Sequence, residues 1–138
     1  MEGRLGRQVS DIQTIESGVA AHRVEIGIER NPAAARLAQR LNGDSERAIR
    51  LFHQKARELL QTGSVSQAQI IRHTDGDRAP VFGVQTSDSS PSRRVRAFFS
   101  PENDIPTLLV ICKADEDGKA MEILRGMGYE RGLRTGRR

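Results

Sequence analysis

Apolar positions along this chain fall into two spacings, and the switch between them divides it. In "HRVEIGIE", Val24, Ile26 and Ile28 alternate with Arg23, Glu25 and Gly27, the pattern of a half-buried strand. "NPAAARLAQRL" puts Pro32 at a first helical position, where its missing N–H costs nothing, and stops before "NGD", which predicts a short helix. In "SERAIRLFHQKARELLQ", Ala48, Ile49, Phe52, Ala56, Leu59 and Leu60 recur every three or four residues, one face of a longer helix. Asp44 stands where its N-cap belongs, and Gly63 where a left-handed residue would end it.

The period then becomes two. "VSQAQIIRH", "APVFGVQTS" and "RRVRAFF" read as strands, separated by the turn-rich stretches "TDGDR" and "SDSSPS". "PENDIP" reads as a further turn, and "TLLVICK", continuously aliphatic, as a central strand buried on both faces. "DEDGKAMEILRGMGYERG" predicts a last helix weakened by Gly126 and Gly128. The opening residues are polar and weakly patterned. The expected organisation is an N-terminal arm over 1–21, a single α+β domain over 22–131, and a mobile basic tail over 132–138.

Composition narrows this further. A chain of 138 residues has room for one core, and with 4% aromatic residues that core must be mostly aliphatic. The net charge is +4 and the isoelectric point near 10.0, which permits nucleic-acid binding without requiring it. The distribution says more: −1 over residues 1–30, +3 over 31–63, +2 over 64–100, −4 over 101–118 and +4 over 119–138. Cys112, the single cysteine, lies in the aliphatic run and reads as a small buried hydrophobe rather than a nucleophile. No stretch approaches the ~18 apolar residues of a membrane span, and the N-terminus lacks a signal-peptide core. A soluble cytoplasmic protein is expected.

In "RRVRAFF", alternation sets Val95, Ala97 and Phe99 on one face and Arg94, Arg96 and Phe98 on the other. If the first set packs against helices, the second presents two guanidiniums beside a ring. Guanidiniums match phosphate oxygens and a ring can stack on a base. The same residues also read as an ordinary solvated strand with Phe98 tucked under a loop. His73 falls near the sheet, as an acid or base or as an edge residue without chemistry, and His53 on the amphipathic helix reads as solvated or packed. His22, His53 and His73 have no ligand spacing with one another or with Cys112, so no metal is expected.

The arginine–valine strand "RRVRAFF", the turn, the leucine pair and lysine of "LLVICK", and the late tyrosine of "DGKAMEILRGMGYER" together resemble RelE/HigB-type toxins of bacterial toxin–antitoxin systems, within the RelE/ParE superfamily. The resemblance covers roughly residues 22–131. The strand before the arginines, "VFGVQT", has no arginine where the family carries one, and the lysine is single. The resemblance implies a helical hairpin packed on a small antiparallel sheet with a short C-terminal helix. It also implies metal-independent, cofactor-free cleavage of messenger RNA in the ribosome, with a cognate antitoxin as partner. Arg94 and Lys113 would carry the phosphorane charge, Tyr129 would move a proton or stack on a base, and His73 would serve as acid or base. Arg96, Phe98, Arg131, Arg134 and Arg137 would bind the nucleic acid. Two further readings use the same scaffold: a nucleic-acid-binding module that does not cleave, and a protein inhibitor of the kind that acts on gyrase or a phage-type inhibitor of a host complex.

Overall fold

The aliphatic run is the centre of the molecule. The structure, a computed structural model, describes residues 11–17 and 20–130. In chain order its elements are β1 (Asp11–Ser17), β2 (Ala20–Ile26), α1 (Pro32–Gln39), α2 (Ser45–Thr62), β3 (Gln69–His73), β4 (Val81–Gln85), β5 (Val95–Glu102), β6 (Ile105–Lys113), α3 (Asp117–Gly126) and β7 (Tyr129–Glu130). They make an α+β fold whose sheet has seven strands in the order β1-β2-β6-β5-β4-β3-β7. Only β2 and β6 pair in parallel; the other neighbours are antiparallel.

Local chemistry explains several boundaries. The Asn31 side chain accepts from the N–H groups of Ala33 and Ala34 at 2.9 and 3.1 Å, and Pro32 follows it, so α1 begins there. Gly63, at φ +82, closes α2 as expected. Asp44 occupies the N-cap position without making a side-chain cap bond, and pairs with Arg47 instead. The turn predicted over "PENDIP" is tighter than that. Only Asn103 and Asp104, at φ 51 and 66, leave the strands, while Pro101 pairs with Pro106 and Glu102 with Ile105.

Helices cover both faces of the sheet. Phe52 of α2 is fully buried and meets Phe99 edge-on at 5.3 Å, so α2 lies on the face that carries Phe99. On the opposite face Arg96 reaches Asp117 at the start of α3, and α1 sits beside α3 through the Arg40–Glu116 ion pair at 2.6 Å. This is why β6 is buried from Pro106 to Cys112 without alternation. The expected hairpin of α1 and α2 on one face of a small sheet is therefore replaced by a larger sheet that separates them. The arm read over 1–21 also holds structure: β1 pairs with β2, and His53 Nε2 lies 2.6 Å from Gln13 Oε1, which ties α2 to β1. No helix among the described residues is long and apolar enough to cross a membrane.

Candidate functional site

Two ends of β5 hold the residues that the sequence singles out. At its N-terminal end Val95 pairs with Lys113, and the Ala114 N–H donates to the Arg94 carbonyl at 3.0 Å, so Arg94 and Lys113 are backbone neighbours. Arg94 Nε donates to the Asp88 carbonyl at 2.8 Å. Asp88 also takes the Arg47 guanidinium and the Thr86 hydroxyl, and Thr86 then Arg47 hold its carboxyl below the ordinary carboxylate range. Arg47 further donates to the Arg93 carbonyl at 2.9 Å, fastening α2 to this corner.

The expected exposed face of β5 is not exposed. Phe98 is fully buried, on the side covered by α3, and offers no ring for a base. Arg96 stands over that ring at 5.1 Å, donates to Gln85 Oε1 at 3.1 Å and to Gln69 Oε1 at 3.0 Å, and pairs with Asp117 at 3.1 Å. Its guanidinium is a bolt between strand and helix. Cys112, across from Arg96, is fully buried, and burial pushes its thiol up to about 12, outweighing the opposing pull of Arg96.

His73 and Tyr129 meet at the other end. They pair directly between β3 and β7, with ring centroids 4.8 Å apart. His73 Nδ1 accepts from the Asp75 N–H at 2.8 Å and Nε2 faces the Met127 carbonyl at 3.2 Å, an arrangement that suits a proton on Nε2. Tyr129 is 2% exposed and lines a cleft with Ser100, Pro101, Glu102 and Asn103, the hairpin end of β5. From Arg94 to Glu102 is roughly 26 Å along the strand at about 3.3 Å per residue. The four proposed catalytic residues thus form two pairs at opposite ends. Arg131, Arg134 and Arg137 lie outside the described residues.

A feature that the sequence reading missed lies between α2 and the β4–β5 loop. A cleft of about 330 Å³ is lined by Arg47, Arg50 and Lys55 from successive turns of α2, with Gln54, Gln67 and Gln85. Leu51, Thr86 and Ser87 complete it, and none of the described residues that line it is acidic. Lys55 is braced by the Ser66 carbonyl at 2.8 Å, and Arg47 by Asp44 and Asp88. Arg50 is exposed and makes no side-chain bond among the described residues. The signal was present in the sequence as cations at 47, 50 and 55, a spacing of one helical face beside the apolar one. Among the described residues no group of three or more His, Cys, Asp or Glu side chains is placed to hold a metal. No family model matches the chain, and no curated protein or solved structure matches it.

Proposed function

We propose that the chain is a nucleic-acid-binding protein, RelE/ParE-like in its order of elements, that takes the phosphate backbone of RNA into the cleft between α2 and the β4–β5 loop. The observation that carries this reading is the lining of the cleft, three cations with neutral amides and hydroxyls and no carboxylate among its described lining residues; Arg47 and Lys55 have carboxylate partners beside the cleft, and Arg50 has none among the described residues. Guanidiniums and an ammonium pair with phosphate oxygens, and the amides suit ribose hydroxyls. Because Arg47 and Lys55 are already held by neighbours, binding orders few side chains. Arg93 and Arg94 extend the cationic surface around the Asp88 corner. The order of strand, two helices, antiparallel strands and helix supports that likeness, with β2 standing for the family's first strand, while α1 and α2 on opposite faces of the sheet depart from it.

Cleavage is the part of the resemblance that the geometry supports least. Attack by a 2′-hydroxyl needs its acid, base and charge-stabilising groups within reach of one phosphate. Arg94 and Lys113 adjoin, but Tyr129 and His73 pair at the far end of β5, with Tyr129 buried. Binding to messenger or ribosomal RNA without cutting is therefore the favoured reading, and an acidic partner such as the cognate antitoxin would cover the same cleft. Incubation with ribosomes carrying an end-labelled messenger separates the possibilities. The expected result is co-sedimentation of the chain with an intact messenger. A cut messenger would overturn the binding-only reading, and absence from the ribosomal pellet together with no affinity for free RNA would overturn RNA binding altogether.

A further inference from the structure

The cleft at the hairpin end of the sheet, far from the proposed RNA surface, has its own polar floor. Its volume is about 370 Å³, and Ser100 of β5 lines it while being only 1% exposed. The Ser100 hydroxyl has no hydrogen-bond partner among the described residues. A buried polar atom left without a partner is uncommon in a folded protein and marks a place where another group completes the bonding. Two exposed charges also line the wall: the Arg78 guanidinium and the Asp77 carboxylate have no side-chain partners among the described residues. Glu102, by contrast, is neutralised by Arg30 at 2.9 Å.

The loop that presents Asp77 and Arg78 is set in place. Asp75 donates its N–H to His73 Nδ1 at 2.8 Å, accepts from the Asp77 N–H through Oδ1 at 3.1 Å, and accepts from the Arg78 N–H through its carbonyl at 3.0 Å. The backbone that carries the two opposite charges is therefore held at the cleft, where both residues line the wall with the apolar surface of Ala79, Pro101 and Tyr129.

We propose that this cleft binds a free α-amino acid, with its carboxylate on Arg78, its ammonium on Asp77 and one of these groups bonded to the Ser100 hydroxyl. The charge pattern selects the class. A phosphate monoester would meet the Asp77 carboxylate and a simple cation would meet the Arg78 guanidinium, whereas a zwitterion satisfies both signs. The apolar wall is left for the side chain, and the cavity volume accommodates a molecule of this size.

The test is a titration of the full-length chain followed by amide chemical shifts, with free L-α-amino acids, their N-acetyl and carboxamide derivatives, and inorganic phosphate as probes. At least one free amino acid should shift the amides of Arg78, Ser100 and Tyr129, while blocking either end should weaken binding by roughly tenfold or more. Arg78→Ala should cost a similar factor. Ser100→Ala should fold with an unchanged or higher melting temperature, because it removes an unpaired buried hydroxyl, and should lose the response. The proposal is overturned if no probe moves these amides at millimolar concentration, if the blocked derivatives or phosphate bind as well, or if Ser100→Ala responds as the parent does.

Discussion

Arg96 bonds the protein to itself: its Nε meets Asp117 at 3.1 Å while its guanidinium lies 5.1 Å from the centre of the Phe98 ring. An arginine that alternation assigns to a phosphate-binding face is instead the fastening between β5 and α3. Replacement by alanine should therefore act on stability. Loss of the Asp117 pair and of the bonds to Gln69 and Gln85 is expected to cost roughly 1–3 kcal/mol in urea unfolding. RNA affinity of the folded variant should stay within about twofold of the parent. A variant of unchanged stability and sharply reduced affinity would return Arg96 to the RNA surface.

Phe52 anchors α2 on the other face. It is fully buried and contacts Phe99 at 5.3 Å, so truncation leaves a cavity at the centre of the helix–sheet contact. Phe52→Ala should destabilise by roughly 3–5 kcal/mol. An unmoved melting temperature would show that α2 does not pack through this ring.

Gly128 links α3 to β7 at φ +99, and a Cβ there would lie 2.5 Å from His73 Nε2. Gly128→Ala combines backbone strain with this overlap and should cost more than about 1 kcal/mol. Because His73→Ala removes the overlapping ring, the double variant should be less destabilised than the sum of the singles. Additive losses would mean that the His73 ring does not press on this turn.

Cys112 gives a chemical readout of the core. With its thiol raised to about 12 by burial, it stays protonated in the folded chain, and iodoacetamide at pH 8 should label it only as fast as the chain unfolds. An unfolded cysteine ionises near about 8.5, so between that pH and about 12 the unfolded chain loses the proton first and the cysteine's contribution to stability falls as pH rises. Rapid labelling of the native protein would contradict the burial.

Much of the fold was legible because its signals are local. Pro32 and Gly63 mark helix ends by what their backbones can adopt, and "TLLVICK" announces a strand covered on both sides by having no polar alternation. β1 escaped notice because its apolar positions, Ile12 and Ile15, are three apart within a polar stretch, and its pairing with β2 is what makes it a strand. The exposed face expected of β5 failed for a non-local reason. Alternation sorts Arg96 and Phe98 onto one face correctly, but whether that face meets water depends on α3, which begins at Asp117. In the same way, the motifs name Arg94, Lys113 and Tyr129, and His73 stands out as the histidine near the sheet, without saying at which end of a strand each arrives. The sheet register decides that, and it parts them into two pairs.

The central claim is that the α2 cleft binds RNA through phosphate, and the salt dependence of affinity tests it most directly. Single-stranded RNA binding should be measured for the parent, Arg50→Ala and Arg78→Ala over a series of salt concentrations. Arg50 is exposed and makes no side-chain bond among the described residues, so its loss should leave folding intact, weaken binding for every sequence tried, and reduce the slope of log affinity against log salt by roughly 0.7–1. Arg78, at the far end of the sheet, should leave the slope unchanged. A folded Arg50→Ala protein with the parent's affinity and slope would contradict the account.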